Sequence, residues 1–387
     1  MKPEITIIIP CYNCEGTLRE AVESCFVQGL ESFEIVMVDD GSTDETLALM
    51  EKLATEHPEI RIFRQGQNLG GGATRNRAVQ ESASDIIFCL DSDDALGTGT
   101  LLKMLSYLKD HKLDGVGVST SIKFKGTQRS NVAYTTSFKR IGEKIELEDI
   151  FNVDSSRCSL YSVFMHTRRA FDIMGGYPTD HGFDTQCFAL RFLANGLAAH
   201  ACPDTTYFHR VNYHRSYYIR EYEDGRANHN WMRIYDEFLY LFNASTQDKM
   251  LGFDFNGSTK PLNAVINEIK DPFAPRYRDF VTEGSKSAYK SFLSTSKITP
   301  VDEYWLGSEA LRSKKPIDAA SHFAHALASG LRHPIVLSRA LDSLALASGT
   351  TASDVMGSIQ AFNAYGKRGS LAPFWKRGIG RIRRMLS

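Results

Sequence analysis

The feature that most constrains this chain is the rhythm of its apolar runs over roughly the first hundred residues. Short β-branched runs at 5–9 and 33–38 alternate with amphipathic segments at 17–29 and 44–56, and 61–64 and 85–90 continue the pattern as strands, with a helix beginning near Ala73. The runs have the length of strands and the intervening segments the length and period of helices. Strand, helix and strand in repetition predict βαβ units, and so a parallel sheet flanked by helices. Sheets of that kind bind ligands beyond the carboxyl ends of their strands. The residues that follow each run therefore carry most of the functional information.

Two acidic clusters stand at those places. Asp39-Asp40-Gly41-Ser42-Thr43-Asp44 follows the run 34–38. A carboxylate there can accept from a uracil N3–H or from ribose hydroxyls, which makes Asp39 the functional candidate. Asp44 reads better as a cap, because Glu45 and Leu47 continue in helical style. Asp91-Ser92-Asp93-Asp94 follows the run 86–90. Three crowded carboxylates repel one another unless a cation or solvent screens them, and hard oxygen ligands suit Mg2+ or Mn2+ bridging two phosphates. An Asp-x-Asp triplet is common, and it gains weight here by following a buried run downstream of a second acidic strand end.

The segment Asn68-Leu69-Gly70-Gly71-Gly72-Ala73-Thr74-Arg75-Asn76 looks like a phosphate cradle at a helix start. It lacks a Gly-Lys-Ser/Thr ending, and the first run leads into Pro10-Cys11-Tyr12-Asn13, with no Gly-x-Gly-x-x-Gly behind it. Its glycines read equally as a flexible turn. Arg75 can reach a donor or order its own loop.

Taken in order, Ile9-Pro10-Cys11-Tyr12-Asn13, Val38 to Asp44, Asn68-x-Gly with Arg75-Asn76, and Leu90 to Asp94 resemble family 2 glycosyltransferases of the GT-A fold, over roughly residues 1–215. The resemblance implies an α/β fold with a mostly parallel sheet flanked by helices, and an inverting transferase. It places Pro10, Tyr12 and Asp39 in the nucleotide pocket, with Asn13, Asp40, Asn68, Asp91 and Ser92 around them and Arg75 in support. Asp91, Asp93 and Asp94 would serve Mn2+ or Mg2+. In the family a Glu-Asp pair usually supplies the general base that inversion requires. The matching stretch here, Gly175-Gly176-Tyr177-Pro178 and then Gly182-Phe183-Asp184-Thr185-Gln186, has Asp184-Thr185 instead. Thr185 cannot replace a carboxylate, so Asp184 is the base candidate and Asp180 the fallback, although Asp184 also stands where it would cap a helix running to Asn195. The stretch 207–216 resembles the basic, histidine-containing segment that closes over the diphosphate. Arg210 and Arg215 would neutralise leaving-group charge, and His209 and His214 compete as metal ligands.

The whole chain sets wider bounds. With 387 residues, 42% of them hydrophobic, it can build a large core and an appendage. The expected division is a GT-A domain over 1–250, a linker or helical connection over 251–300, and a helical domain over 301–387. From Tyr304 the chain looks helical, with Leu306, Gly307, Ala319, Phe323 and Ala326 at the spacings of one tetratricopeptide repeat. The end, from Phe374 through Arg381, Arg383 and Arg384, mixes basic residues with Trp375, Ile379, Ile382 and Met385. It suits an anionic membrane surface or, equally, a basic tail or docking helix, given Gly378 and Gly380.

A net charge of -1 gives no global field to hold nucleic acid. Seven scattered cysteines suggest neither a disulfide framework nor a four-thiolate zinc site, and the Cys11/Cys14 pair falls where nucleotide contacts are expected. No apolar run approaches the ~18 residues of a membrane helix. The expectation is a cytoplasmic protein, peripheral at the inner membrane face if the tail binds lipid. Its expected reaction is metal-dependent, inverting transfer from a nucleotide-diphosphate sugar, UDP being the expected nucleotide, to a glycan, lipid-linked or protein acceptor. Two alternatives stay open. A sugar nucleotidyltransferase would want a basic glycine-rich loop after the first strand. A non-catalytic scaffold would explain Thr185 as a lost base.

Overall fold

The computed structural model of the chain describes residues 2–152, 154–160, 163–211, 217–253 and 262–365. In chain order the strands are β1 (Ile5–Cys11), β2 (Phe33–Asp39), β3 (Ile60–Arg64), β4 (Ile86–Cys89), β5 (Ala95–Leu96), β6 (Gly115–Lys125), β7 (Val132–Ser137), β8 (Met165–Thr167) and β9 (Ala199–Val211). The helices among them are α1 (Leu18–Phe26), α2 (Thr46–Glu56), α3 (Gly71–Glu81), α4 (Thr100–His111), α5 (Leu147–Ile150), α6 (Arg168–Met174) and α7 (Asp184–Ala194).

One sheet runs in the order β3-β2-β1-β4-β8-β6-β9-β5, with β7 paired to β6. Its first four strands are parallel, as the βαβ rhythm predicts. Beyond β4 the sheet is mixed: β8 is antiparallel to both β4 and β6, β6 is parallel to β9, and β5 and β7 add antiparallel edges. The polar, weakly periodic stretch after residue 115 supplies this extension through β6 and β7.

Continuous apolar character in β1 follows from burial on both faces. Ile5, Ile7 and Ile9 pack into a core with Leu18 and Val22 of α1 and Met104 of α4. Ile8 faces the other way, with Val36 and Val38 of β2 against Ala78 and Val79 of α3. These two cores hold β1, β2 and β4 side by side, so their carboxyl ends open together.

The chain divides into two compact units, Met1–Asn230 with Val281–Ser285, and Trp231–Phe280 with Lys286–Ser387. The first break thus precedes the expected 250. The cause is the apolar segment around residues 231–242, whose Trp231, Tyr235, Leu239 and Leu241 are buried. The stretch expected as a linker or helical connection contains the helices Leu262–Asn267, Tyr277–Thr282 and Ser285–Thr295. Residues 254–261 and the basic tail lie outside the described residues.

Within the second unit the helices Pro300–Arg312, Pro316–Ala328, Pro334–Ser348 and Ala352–Tyr365 each pack on the next. Proline opens the first three, where its missing N–H costs nothing. Gly307 brings the first pair close, since a Cβ there would lie 2.7 Å from the Phe323 ring. Pro300 and Pro334 are separated by about one ~34-residue tetratricopeptide period. Among the described residues no helix is long and apolar enough to cross a membrane.

Candidate active site

Because Cys11 and Asp39 are register partners at the ends of β1 and β2, the loops that follow them lie together. Asn13, at φ 49°, accepts from the Thr43 amide at 2.8 Å and donates its own amide to Ser42 Oγ at 3.0 Å. The Cys14 amide donates to Thr46 Oγ1 at 2.8 Å, while Asp44 accepts from the amides of Thr46 and Glu15. Asn13 and Asp44 thus brace the loops. Pro10 precedes them, and Tyr12 stands 48% exposed, an apolar ring offered to solvent.

Asp39 is fully buried, and one carboxylate oxygen accepts from the Ser42 amide at 3.1 Å. Its other oxygen has no hydrogen-bond donor, only Arg64 Nε at 3.8 Å. A buried acceptor left in this state is costly, and a ligand N–H would satisfy it.

Asp40, expected beside the nucleotide, faces the other way. Its oxygens accept from the Leu69 and Gly70 amides and from Gln65 Nε2, at 2.8–2.9 Å. With both oxygens committed, it shapes the glycine loop and is corrected from ligand contact to loop support. Gly41 is needed at this junction: at φ 76°, a Cβ would sit 2.9 Å from the Asn68 amide nitrogen. Asn68 itself is exposed on that loop.

The glycines opening α3 are also corrected, from flexible turn to close-packing surface. A Cβ on Gly72 would lie 1.9 Å from the Pro178 carbonyl oxygen, and one on Gly71 would lie 2.6 Å from an Arg75 nitrogen. This approach lets the start of α7 reach α3. There Arg75, almost fully buried, donates one guanidinium nitrogen to Asp184 at 2.7 Å and the other to Asp91 at 2.6 Å. Burial opposes the guanidinium charge, but Asp184 and Asp91 outweigh it and hold Arg75 charged. Asp184 begins α7, and its second oxygen accepts from the Thr185 amide at 2.9 Å. Asp180 is exposed on the preceding loop, with His181 Nε2 at 4.0 Å.

Asp94 is the hub of the second acidic cluster. One oxygen accepts from the Arg210 amide at 2.7 Å, the other from Tyr207 Oη at 2.7 Å and from His209 Nδ1 at 3.1 Å. These contacts hold His209 beside the acidic strand end. Burial disfavours the imidazolium, yet Asp94 prevails and raises the His209 pKa. Using Nδ1 on a carboxylate leaves Nε2 for a ligand, a common orientation behind a metal.

Asp93 keeps part of its surface open to solvent, although the neighbouring protein crowds its carboxyl. Desolvation by the surrounding protein, reinforced by Asp94 and Asp91, pushes its carboxyl up to about 7. A carboxylate resisting its own charge in this way would gain from a cation. Among the described residues no three His, Cys, Asp or Glu side chains form a cage that would hold a metal unaided. Asp93 and His209 fit instead a divalent ion shared with ligand oxygens, the usual arrangement for Mg2+ at phosphates. Ser92 meets the Cys14 thiol, and Cys11 and Cys14 are buried free thiols.

Arg210, expected on the diphosphate, is buried and engaged elsewhere. It donates to the Asp93 carbonyl at 2.8 Å, to the Gly126 carbonyl and to Glu20, and lies 4.6 Å from the Phe124 ring centroid. Its role is corrected to clamping the acidic loop. Sequence reasoning missed Tyr207 and Glu20, which owe their roles to contacts distant along the chain. His214 and Arg215 lie outside the described residues.

The Glycosyl transferase family 2 profile matches residues 6–169. An uncharacterized glycosyltransferase of Haemophilus influenzae is 30% identical over 139 residues, covering 36% of this chain and 55% of that protein. A poly(ribitol-phosphate) beta-glucosyltransferase of Bacillus spizizenii is 31% identical over 150 residues, covering 38% and 23%. The chain therefore spans about half, or less, of the length of these relatives. Among solved structures, S. aureus TarS 1-349 in complex with UDP-GlcNAc is similar with a TM-score of 0.48 and 16% identity, covering 90% of this chain and 92% of that one.

Proposed function

We propose that this chain, whose residues 6–169 form a family 2 glycosyltransferase domain, is a metal-dependent inverting enzyme that transfers a sugar from a UDP-sugar to a surface-glycan acceptor. The observation that carries the reading is the single guanidinium of Arg75 joining Asp91 to Asp184. It ties the acidic strand end to the start of α7, where the base candidate stands.

In this reading the uracil N3–H meets the unsatisfied oxygen of Asp39, with Tyr12 and Pro10 against the ring and Asn68 at its edge. Asn13 keeps the loop in shape. A Mn2+ or Mg2+ ion held by Asp93 and His209 would supply positive charge to the donor diphosphate. Asp94 orients His209, and Arg210 fixes the backbone of Asp93. Asp91 and Ser92 stand beside the donor, and Arg75 holds Asp91 in place.

Inversion needs a carboxylate that accepts the acceptor hydroxyl's proton as the oxygen attacks the anomeric carbon. Asp184 is proposed for that task. Arg75 holds one of its oxygens, and the other must exchange the Thr185 amide for the acceptor hydroxyl. Asp180 is the alternative. The Bacillus spizizenii relative is named for a poly(ribitol-phosphate) acceptor, which supports an acceptor of the surface-polymer class.

The paired helices at a near-34-residue interval support a tetratricopeptide-like second unit that presents the enzyme to partners or acceptor. The basic tail is proposed to bring it to the inner membrane face.

Asp184→Asn tests the assignment: UDP binding in Mn2+ should persist while transfer is lost. Full transfer in that variant, with loss in Asp180→Asn, would move the base to Asp180. The occupied oxygens of Asp184 and the presence of Thr185 also favour a second reading, a donor-binding scaffold. Donor hydrolysis by the purified protein would exclude it.

A further inference from the structure

Arg210 is spent on the Asp93 carbonyl, the Gly126 carbonyl and Glu20, which leaves the two phosphates of the donor to other cationic groups. We propose that Lys123 is that group, a direct ligand of the diphosphate. The inference rests on the donor-binding reading above.

The placement follows from the sheet. Lys123 of β6 is the register partner of His209 of β9 in a parallel pair, so the two side chains leave the same face as neighbours. His209 is fastened to Asp94 at 3.1 Å, which puts Lys123 beside the acidic strand end, within electrostatic reach of Asp94. Its ammonium donates to Ser121 Oγ at 3.1 Å, a neutral partner. Among the described residues no carboxylate lies within ion-pair distance of it.

A half-buried ammonium that donates to a hydroxyl, with Asp94 near but beyond ion-pair distance, has lost water without gaining a contact counter-ion, an unfavourable state that an oxyanion ligand would relieve. The chemistry that would complete it is an oxyanion arriving near Asp93 and His209. A nucleoside diphosphate shared between those two side chains brings such oxygens to that face. As the glycosidic C–O bond breaks, its electron pair passes to the terminal phosphate, and a nearby ammonium stabilises that added charge. Lys123 is therefore expected to act both in binding and in transfer.

Calorimetric titration of UDP, UMP and uridine in Mn2+ against the full chain, Lys123→Met and Lys123→Arg tests this. Lys123→Met should bind UDP about tenfold or more weakly while uridine affinity holds, and it should transfer more slowly; Lys123→Arg should recover part of both. Thermal unfolding of each variant shows whether the fold survives, and Lys123→Gln replaces Lys123→Met if that variant does not fold. Unchanged UDP binding and transfer would overturn the assignment, as would equal losses for uridine and UDP. Failure of the unaltered chain to bind UDP would overturn the donor reading itself, and Lys123 with it.

Discussion

Replacing Arg75 by Met removes two hydrogen bonds of 2.7 and 2.6 Å and leaves two carboxylates facing one buried space. The Asp184 side chain is only 10% exposed and that of Asp91 28%, so neither regains full hydration. Breaking a buried ion pair from one side costs about 3–5 kcal/mol, chiefly through the charge it strands. In a unit of this size that corresponds to a fall of about 6–20 °C in melting temperature. The same chemistry makes the loss recoverable. Asp184→Asn on the Arg75→Met background removes the deeper of the two stranded charges, while alone it forfeits only one charge-assisted bond, about 1.5–3 kcal/mol. The double variant should therefore be more stable than Arg75→Met, with a coupling energy above ~1 kcal/mol. Denaturant unfolding of the four proteins measures this, and UDP binding followed in parallel reports the site. Stability of Arg75→Met within ~0.5 kcal/mol of the unaltered chain, or simple additivity, would refute the bridge.

Two further perturbations probe the frame. His166 is fully buried, and burial pushes its pKa down to about 4. Between pH 6.5 and 4 the unfolded chain binds a proton that the folded chain refuses, so this residue's contribution to stability is complete above ~6.5 and falls as pH drops, by up to ~3 kcal/mol. Denaturant unfolding across that window should show a flatter profile for His166→Gln, and parallel profiles would contradict the assignment. Gly72→Ala should destabilise by about 1–3 kcal/mol and slow transfer, because its Cβ would displace the Pro178 backbone and with it Asp184. Gly16→Ala, where nothing lies within 4 Å, is the control, and equal effects at both positions would contradict the packing argument.

The parallel half of the sheet was legible because β1, β2 and β4 are buried on both faces and so read as apolar runs, separated by helices of ordinary length. The importance of strand ends was legible for the same reason, and Arg75, Asp91 and Asp184 do meet there. Neighbouring carboxylates were harder to separate. Asp39 and Asp40 are adjacent in sequence, yet one keeps an unsatisfied oxygen and the other is consumed by the Leu69 and Gly70 amides; only the path of the loop distinguishes them. The contacts of Arg210 and Asp94 were hidden for a related reason. Their partners, Glu20, Gly126 and Tyr207, come from distant elements, and nothing local marks a charged residue as already satisfied. The early break at Asn230 was hidden because a helix, Arg226–Phe238, runs straight across it while the polar, proline-rich punctuation stands further on.

The proposed site binds a nucleotide diphosphate through a divalent ion. Calorimetric titration of the purified chain with UDP, GDP and dTDP, each in Mn2+ and again with excess chelator, tests it most directly. UDP should bind in Mn2+, chelation should abolish binding, and Asp93→Ala in Mn2+ should behave as the unaltered chain does with chelator. Binding indifferent to the metal, or no binding of any of the three, would contradict it.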